Sequence, residues 1–366
     1  MELYIGLMSG TSADGIDAAL VDFSQPRLNV IATYYMPYEP ALRKQIHALC
    51  AEGKNEIERL GQMDVILGNA FAQAATQLLY NQSINPSAIT AIGSHGQTIR
   101  HDSSAATNPF TLQIGDPNTI AAKTGITTVA DFRRKDVAIG GHGAPLVPAF
   151  HQILFSSPTT DRAIVNIGGI ANITILPKNT STNVIGFDTG PGNVLLDEWI
   201  RLHHDTRHDT NGDWGATGKV IPELLAQMLA EPYFQLSAPK STGRELFNIN
   251  WLKKQLRSQT PEDVQATLVE LTAQSIIDAI KKYLPAGEIL VCGGGAHNHF
   301  LMQRLAALAK PAFSVDSTNT YGLSPDWVEA VAFAWLAKQT VHRQPGNLPS
   351  VTGAARPAIL GGIYYC

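Results

Sequence analysis

Apolar and polar positions along the chain fall into short strand-like runs and longer helical stripes. Leu3 to Met8 reads as a first strand and Ile16 to Asp22 as a second, with apolar Ala18 and Leu20 set among acidic Asp17 and Asp22. The glycine-bearing stretch Ser9-Gly10-Thr11-Ser12-Ala13-Asp14-Gly15 between them predicts a hairpin. Leu60, Met63, Ile66, Leu67, Ala70, Phe71 and Ala74 recur with a helical period over Leu60 to Tyr80. Ala88 to Ile92 predicts a short strand that runs into a loop, Gly93-Ser94-His95-Gly96-Gln97.

A similar order of elements starts again near Ala163. Ala163 to Ile167 and Ile170 to Leu176 flank a Gly168-Gly169 turn, and Asn183 to Phe187 predicts a further strand. The loop Asp188-Thr189-Gly190-Pro191-Gly192-Asn193 then opens a helix from Val194 to about Leu202. Leu271, Ser275, Ile276 and Ile280 share one face of a helix over Leu268 to Tyr283, and Glu288 to Val291 leads into Gly293-Gly294-Gly295. A helix is expected from Pro325 to Lys338, with Ser324 as N-cap and Pro325 at its first position. Pro345 to Ala355 reads as a loop before a short final strand.

No sequence identity links the halves; only the order of elements repeats. That order predicts two related α/β lobes, since a single doubly wound sheet places the hairpins less naturally. The boundary is expected near Asp131, because Thr128 to Arg134 has no clear period. The first lobe is then 1–130, completed by 345–366, and the second is 131–344.

At 366 residues the chain suits two domains, and 44% apolar with 16% charged residues is ordinary for a compact enzyme. A formal net charge of -4 gives no electrostatic reason to expect nucleic acid or an anionic membrane as partner. Cys50, Cys292 and Cys366 are few and scattered, unlike a disulfide framework, and the chain opens on strand-like Leu3-Tyr4-Ile5 rather than a leader. A cytoplasmic protein is expected.

Three glycine-bearing segments carry candidate chemistry. In the first, peptide N–H groups and the hydroxyls of Ser9, Thr11 and Ser12 can donate to phosphate oxygens, and Asp14 suits a magnesium-bound water. An ordinary hairpin turn explains Asp14-Gly15 as readily. In the second, free N–H groups at a helix start face the loop, and Asp188 can accept a proton, although Asp188 or Asn193 also suits a simple helix cap. In the third, Gly293 to Gly295 leave a flat surface for a planar ring; a dinucleotide fingerprint fails because Asn298 stands where its third glycine is needed. No Walker A sequence occurs. His203, His204 and His208, with Asp205 and Asp209, match no zinc spacing and read as a solvated helix end. His95 and His101 read as loop histidines. Arg133 and Arg134 read as surface charge unless a cleft adjoins them, where either can grip a carboxylate or phosphate. Glu329 suits a helix start by itself.

The combination is more specific than its parts. Gly6-Leu7-Met8-Ser9-Gly10-Thr11-Ser12-Ala13-Asp14-Gly15-Ile16-Asp17 resembles the opening motif of the anhydro-N-acetylmuramic acid kinases. Ser94 to Thr98, Gln113 to Asp116, Ala130 to Arg134, Gly143 to Pro148, Asn166 to Asn172, Asp188 to Asn193 and Glu329 to Ala334 are similar to further blocks of that family, in order. The resemblance implies an actin-like sugar-kinase fold of duplicated ribonuclease-H-like domains with an interlobe cleft. It implies ATP and Mg2+ as cofactors, the metal carried by ATP without a dedicated protein site. The reaction implied is hydrolytic opening of 1,6-anhydro-N-acetylmuramic acid with phosphorylation to N-acetylmuramic acid 6-phosphate, in murein recycling. Asp188 is the implied base. Gly10, Thr11, Ser12, Ala13, Asp14, Gly15, Ile16, Asp17, Gly168, Gly190, Gly293, Gly294 and Gly295 are implied on ATP, and Ser9, Arg133, Arg134 and Glu329 on the sugar. Which arginine serves stays open, as does a homodimer. Ala13 and Ile16 stand where other side chains are expected to fit equally well. The alternatives are a kinase of an ordinary sugar hydroxyl and a non-catalytic actin-like ATP-binding protein.

Overall fold

A computed structural model describes residues 1–25, 27–103, 107–179 and 181–366. Two compact units emerge, one made of Met1–Phe150 with Trp327–Cys366, the other of His151–Asp326.

The first unit holds β1 (Leu3–Ser9), β2 (Gly15–Asp22), β3 (Asn29–Pro37), β4 (Ile89–Asp102), β5 (Phe110–Ile114) and β6 (Thr128–Ala130). With a final strand Gly362–Tyr364 they form one sheet in the order final–β6–β4–β1–β2–β3, and β5 pairs with β4. Every residue of β1 is buried because both of its faces are covered. Leu3, Ile5 and Leu7 pack into a core with Met63, Leu67, Phe71 and Leu78 of the helix Glu56–Asn81. Gly6 lies on the other face, under the helix Val328–Val341. A Cβ at Gly6 would stand 1.7 Å from the Ala330 carbonyl oxygen, and one at Gly93 would stand 2.0 Å from that of Phe333. Glycine at these two places lets helix backbone rest directly on β1 and β4.

This helix begins three residues later than expected and runs to Val341. Pro325 stays outside it; its carbonyl instead accepts the Gly293 N–H within the second unit. The returning segment therefore starts at 327, not 345. Residues 131–150 also belong with the first unit, past the boundary expected near Asp131. The reason is Asp136, fully buried, whose carboxylate accepts from the Gly143 N–H (2.8 Å), Asn347 Nδ2 (2.6 Å) and Thr352 Oγ1 (2.8 Å). These bonds tie the segment after β6 to the C-terminal stretch, where a short helix, Pro349–Thr352, interrupts the expected loop.

The second unit holds β7 (Arg162–Ile167), β8 (Ile170–Leu176), β9 (Ile185–Pro191), β10 (Gly287–Cys292) and β11 (Phe313–Ser317), in the order β11–β10–β7–β8–β9. Val165, Ile167, Ile173, Ile175 and Val291 share a core with Val264, Leu268 and Leu271 of the helix Pro261–Lys281. Each unit thus has an antiparallel meander of three strands followed by two strands parallel to the first: β3–β2–β1–β4–β6 and β9–β8–β7–β10–β11. That shared order is the duplicated α/β, ribonuclease-H-like arrangement expected from the sequence.

Two strands run further than their apolar patterns. β4 continues through Gly93 to Gln97, because Gln97 pairs with both Ser9 and Ile114. β9 carries Asp188 to Pro191 inside it, with Asp188 opposite Asn172 of β8. The first glycine motif is a strand segment, and the second is one as far as Pro191, with Gly192 and Asn193 beyond it.

Candidate functional site

The turn after β1 is braced from β4. Ser9 Oγ lies 2.8 Å from the Gly15 carbonyl and 2.7 Å from Gln97 Oε1, while Gln97 Nε2 donates to the Gly10 carbonyl at 3.1 Å. Ser9 is only 1% exposed, and its hydroxyl braces the turn. Ala13 adopts a left-handed backbone (φ 49°) with its methyl in the core, and Ile16 is fully buried. The expected tolerance at both positions is corrected: strain and packing restrict them. Gly15 is required by β3, since a Cβ there would meet the Met36 carbonyl at 2.5 Å. A Cβ on Gly10 would meet only Ser12 Oγ, at 3.8 Å, and Thr11 and Asp14 are exposed. The turn therefore offers bare backbone over Gly10 to Ser12 and the Thr11 hydroxyl. One Asp14 oxygen accepts the Ser12 hydroxyl at 2.8 Å, and Asp17 follows on β2. Carboxylates of this kind suit a Mg2+ bound through water and phosphate.

A second constellation in the same unit separates the two arginines. Arg133 donates through Nε (3.0 Å) and NH2 (2.9 Å) to His95 Nε2, and through NH1 to the Gly143 carbonyl at 2.8 Å. His95 Nδ1 lies 2.7 Å from the Gly96 carbonyl. Because Nε2 must accept, the imidazole proton sits on Nδ1. Burial, helped by the Arg133 charge, pushes the His95 pKa down to about 3, so the ring is neutral at pH 7. His95 packs on Phe333, with ring centroids 4.7 Å apart, and Glu329 stands one helical turn before Phe333. Burial lowers the Arg133 pKa to about 10 against the pull of Glu329 and then Asp136, so it stays charged. Burial raises the Glu329 carboxyl, while Arg133 opposes the rise. Desolvation wins for both, and no Arg133–Glu329 ion pair within 4 Å occurs among the described residues. Arg134 is exposed and its Nε binds Asp131 Oδ1 at 2.7 Å.

In the second unit Asp188 sits in β9 with one carboxylate oxygen, Oδ2, accepting the Thr242 N–H at 3.1 Å. Its own N–H donates to the Lys240 carbonyl, and its carbonyl accepts the Tyr233 hydroxyl at 2.7 Å. Burial pushes the carboxyl from 3.8 up to about 6, with Thr242 opposing and Glu245 adding to the shift. The N–H groups that lead into the helix Val194–His204 are already taken. Those of Gly192, Asn193 and Val194 donate to the carbonyls of Gly168 and Gly169. Gly190 is also corrected: it lies under Phe234, whose ring a Cβ would meet at 2.6 Å, not on an open face. Of the triple glycine, Gly293 and Gly295 are packed against Asn166 and Ile167, each 2.3 Å from a hypothetical Cβ. Only Gly294 is bare, 3.8 Å from Asn193 Nδ2 by the same measure. Gly169, on the β7–β8 turn, is similarly exposed. His203 packs on Trp199 (4.3 Å between ring centroids) and His204 on Trp214 (4.6 Å). Asp209 caps the backbone of Trp214 and Gly215.

A family model described as anhydro-N-acetylmuramic acid kinase matches residues 2–366. The chain belongs to that family. Relatives bearing the same description include one from Coxiella burnetii, 54% identical over 100% of this chain and 98% of the relative. Another, from Pasteurella multocida, is 55% identical over 99% of this chain and 96% of the relative. Among solved structures, the activator of 2-hydroxyisocaproyl-CoA dehydratase from Clostridium difficile with bound ADPNP covers 91% of this chain and 92% of its own, at TM-score 0.47 and 13% identity.

The anhydro-N-acetylmuramic acid kinase motifs thus sort into two groups. Some residues are spent on packing or bracing (Gly6, Ser9, Gly15, Gly190, Gly293), and others face outward with unspent groups. Two positions carry more than their patterns suggested. His95, read as a loop histidine, holds Arg133. The stretch Lys240-Ser241-Thr242-Gly243-Arg244-Glu245 borders Asp188, and its hydroxyls, glycine and cation were the available signal. It lacks the strand-to-helix context that drew attention to the other glycine motifs. No helix among the described residues is long and apolar enough to cross a membrane.

Proposed function

We propose that this chain is a cytoplasmic ATP-dependent kinase that opens 1,6-anhydro-N-acetylmuramic acid with water and phosphorylates it to N-acetylmuramic acid 6-phosphate. The observation that carries the mechanism is the Asp188 carboxyl. It is held by one N–H on Oδ2, has no hydrogen-bond partner on Oδ1 among the described residues, and titrates at about 6. A base poised near the working pH contributes ~10²–10⁴ in rate.

Asp188 takes a proton from the attacking water as the new oxygen–carbon bond forms at the anomeric centre. The bond from that carbon to the six-position oxygen breaks. The departing oxygen accepts the γ-phosphoryl group, and the β–γ bridging oxygen leaves with ADP. The turn from Gly10 to Ser12 holds phosphate oxygens through its backbone and the Thr11 hydroxyl, and the Gly169 turn and Gly294 offer bare backbone in the second unit. Asp14 and Asp17 would hold, through water, a Mg2+ carried by ATP, which would supply neutralisation of phosphate charge. Arg133, oriented by His95, binds the lactyl carboxylate, and Glu329 takes a sugar hydroxyl or amide N–H. Arg134, already bound to Asp131, has no part in it.

Incubation with the anhydro-sugar and ATP, followed by product mass analysis, tests the reading. A product carrying both one added water and one phosphoryl group supports it. Phosphorylation without addition of water makes the chain a kinase of an ordinary hydroxyl, and no phosphorylated product refutes both.

A further inference from the structure

The loop from Lys240 to Glu245 has no role in the reaction described so far, yet two bonds press it against β9. Asp188 donates its N–H to Lys240 and accepts the Thr242 N–H on its carboxylate. Beyond Glu245 the chain is anchored by Phe247, fully buried among Tyr233, Phe234 and Trp251. Between these anchors the loop carries Arg244 to the β7–β8 turn. One guanidinium nitrogen lies 4.0 Å from where a Cβ on Gly169 would sit, and Gly169 itself is exposed. Arg244 is exposed, and its guanidinium makes no hydrogen bond or ion pair among the described residues. Asp197, in the first turn of the helix Val194–His204, attracts it without touching it. Burial pushes that carboxyl up to about 7 against the pull of Arg244, so it neutralises the arginine only in part.

We propose that Arg244 is a phosphoryl-binding residue, its guanidinium gripping the γ-phosphoryl group of ATP above the bare Gly168–Gly169 turn. A planar fork of donors over side-chain-free backbone matches the geometry of phosphate oxygens. The same loop holds Asp188, so phosphoryl group and base are positioned by one short segment. This rests on the phosphotransfer reading, and the alternative anion for Arg244 is the carboxylate of the sugar.

The test compares wild type with Arg244→Gln and Arg244→Lys. Titration calorimetry reads ADP and ADPNP affinity, and steady-state kinetics read kcat and the KM of the anhydro-sugar. Arg244→Gln is expected to lower kcat by about 10³-fold, the lower end for an arginine that stabilises phosphoryl transfer. It is expected to weaken ADPNP binding at least about tenfold while ADP binding and melting temperature stay unchanged, with Lys restoring part of the loss. Equal losses for ADP and ADPNP, or a variant that retains wild-type turnover, overturn the proposal. So does a rise confined to the sugar KM, which would assign Arg244 to the carboxylate. A wild type that binds ADPNP but does not turn over the sugar defeats only the substrate reading. The ADP–ADPNP difference then still decides the role of Arg244.

Discussion

The turn after β1 and the turn after β7 occupy matching places in two sheets of the same strand order, yet they are built by opposite means. The first is long, rich in hydroxyls, and braced by Gln97 reaching from β4 to Gly10 and Ser9. The second is two glycines whose carbonyls are consumed by the N–H groups of Gly192, Asn193 and Val194. Side chains line the first turn, whereas the second relies on a neighbouring loop for its charge. Shared topology fixes where a turn stands, and the local hydrogen bonds decide what it has left to offer a ligand.

The largest expected effect is on the carboxylate beside the second turn. Asp188→Asn is expected to cut turnover by ~10²–10⁴ with ATP affinity intact, measured by steady-state kinetics and calorimetry. It is also expected to stabilise the protein above pH 7. The folded carboxyl titrates at about 6 against 3.8 unperturbed, so the folded state binds the proton more tightly. Stability contributed by this group is present below 3.8 and is lost as pH rises through about 6. Removing the charge should recover up to about 3 kcal/mol, seen as a raised melting temperature at pH 8. The same titration makes kcat of the wild type fall as pH drops below about 6, approaching tenfold per pH unit.

Next in size is the first unit's arginine. Arg133→Gln should raise the sugar KM by ~10–100-fold through loss of charge-assisted hydrogen bonds. Arg134→Gln, removing an exposed guanidinium, should change it less than about twofold. Similar effects of the two variants would erase the distinction drawn between them.

Smaller still is a pair of glycines. Gly6→Ala drives a methyl into the Ala330 carbonyl and should lower stability by about 1–3 kcal/mol in urea unfolding. Gly169→Ala meets nothing closer than 4.0 Å and should stay within about 0.5 kcal/mol. A large loss at Gly169 would mean that the second turn, like Gly6, is a packing site.

Both opening hairpins and the helices around Leu67 and Leu271 were legible because their apolar periods match the faces they bury. β3 carries no clear period in the sequence because most of it is only half-buried or exposed, which leaves a mixed pattern. β4 and β9 were cut short where Gly, Ser, His and Asp replace apolar residues, although ladder partners hold those segments in the sheet. The lobe boundary depended on Asp136 bonding to residues more than two hundred positions away, which no local window registers. Asp188 and the turn from Gly10 to Ser12 are legible in the sequence as candidate chemistry. The burial of Ser9, the packing of Gly190 under Phe234, and the different partners of Arg133 and Arg134 needed three-dimensional neighbours.

The direct measurement is turnover of the anhydro-sugar in oxygen-18 water, with mass analysis of the product. If a water deprotonated by Asp188 attacks the sugar, label appears at the anomeric oxygen in every turnover and none enters the phosphoryl group. A product phosphorylated without label at that carbon would contradict the account.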